Sequence, residues 1–154
     1  MAKHVVVLGG GNGTSRLLGA LLPLLADHSI ASLHALVHMA DDGGSTGRLR
    51  QQYAVGAMGD LTKCLLALSS LHGDLRGDAF LKALEYRFAN GDFQGHTLRN
   101  ALLAALELTS DIDAAIATFA RVLQVPKYAG VIPTTLEALT QQVTILQDGE
   151  QKIL

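Results

Sequence analysis

Apolar residues recur along this chain in two rhythms. Val5-Val6-Val7-Leu8 is a short, continuous, β-branched run that stops at glycine, the pattern of a strand buried on both faces of a parallel sheet. Thr14 to about Leu25 has the apolar density of a buried helix, which Pro23, lacking an N–H, should kink or end. Leu33 to Met39 alternates, with Leu33, Ala35, Val37 and Met39 on one face and His34, Leu36 and His38 on the other. Strand, turn, helix and strand in that order predict a βαβ unit. From Gly59 the rhythm turns helical. Asp60 to Ser70, Asp78 to Ala89, Thr97 to Leu108 and Asp111 to Leu123 carry apolar residues three and four apart, predicting four helices inserted beside the sheet. Strand-like runs return at Gly130-Val131-Ile132 and Val143 to Leu146, and Asp148-Gly149 signals a hairpin turn before Lys152-Ile153-Leu154. The expectation is one α/β domain over residues 1–154, with a mostly parallel sheet and a helical insertion.

Composition narrows the partners. With 154 residues, 49% hydrophobic and 17% charged, the chain has enough apolar surface for a sizeable core. A net charge of −2 without any run of Lys or Arg argues against a nucleic-acid partner. The most apolar stretch, Leu17 to Ala26, is broken by Gly19 and Pro23 and falls well short of the roughly twenty residues that cross a bilayer, so no membrane is expected. The apolar run after Met1-Ala2-Lys3-His4 ends at three glycines, and reads as mature sequence rather than a signal peptide. Cys64 is the only cysteine, which rules out an internal disulfide and thiolate-based metal sites and suits a reducing cytosol. Set in an apolar run, it reads as an inert core thiol. His4, His34 and His38 lack metal-ligand spacing and read as packing or surface residues, and Tyr86-Arg87-Phe88 reads as the end of a helix.

Three segments carry candidate chemistry. Gly9, Gly10, Gly11, Asn12 and Gly13 follow the first strand and open a helix, where bare N–H groups and the positive helix end can cradle phosphate. The spacing is neither the strict dinucleotide fingerprint nor a P-loop, and the plainer reading is a tight turn without a ligand. Asp41, Asp42, Gly43, Gly44, Ser45, Thr46, Gly47 and Arg48 follow the second strand at the same sheet edge, where open α/β sheets bind ligands. The glycines suit an anion nest, Arg48 offers a planar fork for phosphate, and Asp41 with Asp42 suits Mg²⁺ or sugar hydroxyls. A capping role is the plainer reading of either aspartate. Gly59-Asp60 and Gly95-His96-Thr97 each precede a helix, with Asn100 one turn on. They serve either as further anion contacts or as N-caps.

Gly9-Gly10-Gly11, Ala40 through Arg50, Gly59-Asp60-Leu61, Gly95 through Asn100 and Val131-Ile132-Pro133-Thr134-Thr135, in that order, resemble the gluconeogenesis-factor family, a sister of the 2-phospho-L-lactate transferases. The run from Ala40 to Arg50 is the most specific part. The resemblance implies a Rossmann-like, three-layer, cytoplasmic protein that binds UDP-sugars such as UDP-N-acetylglucosamine and acts on carbon metabolism and cell shape. It implies ligand contacts at Gly9 to Gly13, Asp41 to Ser45, Gly59, Asp60, Gly95, His96, Thr97 and Asn100. This chain departs from the family pattern at Asn12, usually Thr, at Thr62-Lys63, usually Arg-Asn, and at Arg99, usually Gly. Lys63 and Arg99 add positive charge near two of the anion sites. Members of the family are much longer, so the C-terminal half of the fold is expected to lie beyond Leu154.

Without a convincing acid/base pair, the favoured reading is a nucleotide-sugar sensor that does not turn its ligand over, with GDP and NAD types left open. The alternative is a Mg²⁺-dependent transferase like the 2-phospho-L-lactate enzymes, with Asp41 and Asp42 on the metal and Arg48 steadying charge. A third reading is a homo-oligomer that covers an unpaired sheet edge.

Overall fold

A computed structural model describes residues 2–136, 144–147 and 150–153. The alternating and β-branched runs form three strands, β1 His4–Gly9, β2 Ser32–Val37 and β3 Ala129–Pro133, all parallel with β2 in the middle. The register sets Val7, Ala35 and Val131 side by side, and one residue on sets Leu8, Leu36 and Ile132 side by side. Period two therefore separates two sheet faces. The face of Leu33, Ala35 and Val37 is fully buried.

What buries it is a helix layer. α1 Gly11–Ala26 and α3 Met58–Ala67 pack against each other and on the strands, with Leu18, Leu61 and Leu65 fully buried. α5 Leu98–Thr109 lies on α3, and is flanked by α6 Ile112–Val122, α4 Leu75–Glu85 and α2 Gly44–Tyr53. The open α/β sheet with a helical insertion is thus as the sequence predicts. Several boundaries differ for local reasons. α1 starts at Gly11, three residues before the apolar pattern, and runs past Pro23. Gly19 and Pro23 are both exposed, so water can take the carbonyl that Pro23 leaves unbonded. α4 begins at an Asp74 cap, whose Oδ2 accepts from Gly77 N–H at 2.8 Å, and it ends at Glu85. Tyr86-Arg87-Phe88 is therefore not a helix end but an extended arm, bridged to Thr97 through Arg87. α2 replaces an expected loop. A separate antiparallel pair, β4 Thr144–Gln147 and β5 Glu150–Ile153, matches the late strand signals, while Val143, the Asp148-Gly149 turn and Leu154 lie outside the described residues.

The second sheet face has no helix over it among the described residues. Leu8 is 72% exposed, Val6 60% and Ile132 49%. With Leu36 between Leu8 and Ile132, these side chains form an apolar patch that attracts a cover. Replacing Leu8 and Ile132 by Thr, which keeps strand propensity, should lower anilinonaphthalene sulfonate fluorescence and self-association in light scattering. The thermal midpoint should barely move, because no buried contact is lost. An unchanged dye signal would mean that this face is already covered in solution.

Candidate functional site

Four helices start at the carboxyl edge of the sheet, and glycines set how closely they meet. Gly9 (φ +146°) and Gly11 (φ +67°) turn β1 into α1. At Gly10 a Cβ would lie 2.5 Å from the His38 ring and 2.6 Å from Asp60 Oδ2, so the turn settles on these side chains only as glycine. At Gly59 a Cβ would stand 2.5 Å from Thr46 Oγ1 and 3.0 Å from Asp41 Oδ2, which fixes the approach of α3 to α2. α5 is reached through the arm 86–97, in which Phe88 N–H donates to the His96 carbonyl at 3.0 Å and Gly95 N–H to the Phe88 carbonyl at 2.7 Å.

Polar side chains then tie the four starts together. His96 Nδ1 lies 3.0 Å from Ser45 Oγ, and Asn100 Nδ2 donates to the same oxygen at 3.3 Å. The Thr62 hydroxyl sits 2.9 Å from Asn100 Oδ1 and 3.0 Å from the Gly59 carbonyl, and accepts from Arg99 Nε at 3.2 Å. Asp60 Oδ1 pairs with Lys63 Nζ at 3.2 Å, and its Oδ2 is 3.5 Å from His38 Nε2. Among the described residues the buried polar ones are Thr14, Ser45, Thr46, Asp60, Thr62, Ser69, His96, Thr97, Arg99 and Asn100. All but Ser69 stand at or beside these four helix starts. Such crowding of buried polar groups away from the apolar core makes this edge the candidate site. Thr97 Oγ1 is buried with no hydrogen-bond partner among the described residues.

The arrangement revises several residue readings. Asp41 to Arg48 is not a loop nest, because Gly44 onward is α2. Its one apolar contact at Leu49 gives too little periodicity to announce a helix. Asp41 Oδ1 accepts from Gly43 N–H at 3.1 Å, while Asp42 is exposed. Arg48 has one arm committed, since its Nη2 donates to the Gln94 carbonyl at 2.6 Å. Asp60 is no cap. It is the third residue of α3 and its carboxylate points to Lys63 and His38. Thr97 occupies the cap position of α5 without making a cap bond. His38, set aside in the sequence as a surface residue, stands between the glycine turn and Asp60. Thr62, Lys63 and Arg99 join the same cluster, and only the added charge of the last two was visible beforehand. Among the described residues no three His, Cys, Asp or Glu side chains gather as metal ligands. Cys64 is buried, and burial followed by the Asp60 charge pushes its pKa up to about 11, so it is inert.

The family profile described as 2-phospho-L-lactate transferase CofD matches residues 5–153. The chain belongs to that family. Within it, the gluconeogenesis factor of Halalkalibacterium halodurans is 39% identical over 125 residues, 80% of this chain and 36% of that protein. The gluconeogenesis factor of Listeria monocytogenes is 39% identical over 149 residues, 95% of this chain and 42% of that protein. A Bacillus halodurans crystal structure aligns with a TM-score of 0.80 and 33% identity over 99% of this chain and 46% of its own. The chain thus spans less than half the length of these family members. No helix among the described residues is long and apolar enough to cross a membrane.

His96 gives a pH test of the buried network. Burial lowers its pKa, and repulsion from Arg48 and Arg87 acts in the same direction. The unfolded imidazole, near 6.5, then binds protons that the folded one refuses. Its contribution is complete above about pH 6.5 and is lost as pH falls through the folded pKa. Urea midpoints measured from about pH 7 down to 5 should fall less steeply in His96→Gln than in the parent chain. Parallel acid limbs would place the protons elsewhere.

Proposed function

We propose that this chain binds the diphosphate of a nucleotide sugar of the UDP-N-acetylglucosamine type across the four helix starts, and serves as a regulatory binding protein in carbon metabolism and cell shape. One contrast carries the reading. α4 and α6 start with acidic caps, Asp74 and Asp111, followed by Asp78 and Asp113 in their first turns. α1, α2 and α5 have no acidic residue in the first turn and no side-chain cap bond. α3 brings only Asp60, which is already paired with Lys63. Each helix start carries roughly half a positive charge together with unpaired N–H groups. The starts in open solution are neutralised by the chain itself, whereas the four that converge are left for an anion.

The test is isothermal titration with UDP-N-acetylglucosamine. Binding should weaken at least ~10-fold, about 1.4 kcal/mol, in Gly10→Ala, where the added methyl drives into His38 and Asp60. Gly11→Val should act through its left-handed backbone instead. No binding by the folded parent chain would end the proposal for this ligand. Metal dependence separates the transferase alternative, for which the half-buried Asp41 carboxylate facing Gly59 is the supporting observation. A regulator binds equally with EDTA and in Asp41→Asn with Asp42→Asn. Loss of binding under both, accompanied by turnover, would replace the regulator with a Mg²⁺-dependent phosphotransferase.

A further inference from the structure

A separate cavity of about 310 Å³ opens beside the glycine turn, between α1, α3, α4 and α5. Asn12, Ser15 and Arg16 line it from α1, Lys63 from α3, Glu85 from the end of α4 and Arg99 from α5. Half of these residues are cations, and they are not equally satisfied. Lys63 is paired with Asp60 at 3.2 Å. Arg16 is exposed, with no hydrogen bond or ion pair among the described residues.

Arg99 is the unusual one. Only 7% of it is exposed, yet its single hydrogen bond among the described residues runs from Nε to Thr62 Oγ1 at 3.2 Å. No described carboxylate lies within ion-pair distance of its guanidinium, and Glu85 acts on it only at longer range. A buried guanidinium is normally held by a bidentate carboxylate, because desolvating the charge without one is costly. Here the two terminal nitrogens are left to the cavity. With Lys63 committed to Asp60 and Glu85 set against one guanidinium, one positive charge is left over in the pocket.

We infer that this cavity is a second binding site, which takes the oxyanion group of a small metabolite, a carboxylate or a phosphate, on the Arg99 fork with Arg16 as the outer contact. An oxyanion supplies what the chain lacks there: two coplanar acceptors for Nη1 and Nη2, and the missing negative charge. The site stands on α1, α3, α4 and α5 side chains, takes only Asn12 from the glycine segment and needs nothing from α2.

The ¹⁵N-labelled chain is titrated with inorganic phosphate and, separately, with acetate, following arginine Nε–H cross-peaks. The Arg99 peak is assigned by its disappearance in Arg99→Lys. The expected result is a saturable shift of that peak with at least one anion, and an affinity at least ~10-fold weaker in Arg16→Gln, whose exposed position leaves the fold intact by circular dichroism. A response to phosphate alone assigns phosphate esters, and one to acetate alone assigns carboxylates. Gly10→Ala should keep the response even where UDP-N-acetylglucosamine binding is lost, so the two sites can fail independently. A stationary Arg99 peak with both anions, a shift that grows linearly without saturating, or equal affinity in Arg16→Gln overturns the inference.

Discussion

The structure depends on holding four like-charged helix ends together. Each start of α1, α2, α3 and α5 presents a partial positive charge, and in water such ends favour an acidic cap rather than one another. Two features offset the repulsion. Missing Cβ atoms at Gly10 and Gly59 let the starts reach van der Waals contact. The buried set Ser45, His96, Asn100, Thr62 and Arg99 then replaces water with fixed hydrogen-bond partners. The first turn of each helix is thereby aimed by its neighbours, and the site follows from how those helices are packed.

Legibility in the sequence followed this division. Strands and apolar helices were visible, because burial on one face imposes a period that survives in the letters: Val7, Ala35 and Val131 align as alternation predicts. α2 was invisible, because its contacts are made by glycine, serine and threonine near other polar groups, and such residues are the usual signs of a loop. The glycine clusters pointed to the sheet edge where the helix starts meet, but could not say which glycine is crowded. Gly10 is, whereas a Cβ at Gly11 would stand 3.7 Å from Asp60 and is disfavoured only by its backbone. Asp60 looked like a cap because it stands near a helix start. Placement inside the first turn, three residues past the Ala57 cap position, converts it into the partner of Lys63 and His38.

The two faces of the sheet differ in how they are covered among the described residues. Its helix-covered face has the continuous burial of a finished core, from Leu18 through Leu33 to Leu65. The opposite face, with Leu8 and Ile132 open, has the composition of an interior without the cover. Longer family members align with this chain over less than half of their length. The four helix starts do not depend on that cover, since α1, α2, α3 and α5 reach one another through contacts wholly inside the described residues.

The buried network also has a direction, to which Arg99 contributes. A guanidinium only donates, so Thr62 Oγ1 must accept from Arg99 Nε and is left with one proton of its own. When that proton goes to Asn100 Oδ1, the Asn100 amide donates to Ser45 Oγ, and the serine proton is free for His96 Nδ1. In that arrangement a neutral His96, the form that burial favours, carries its proton on Nε2. The order of donation then runs from Arg99 at the second cavity to His96 just before α5. A cation at position 99 therefore does more than charge a pocket. It takes one acceptor position of the Thr62 hydroxyl and so favours that order of donation.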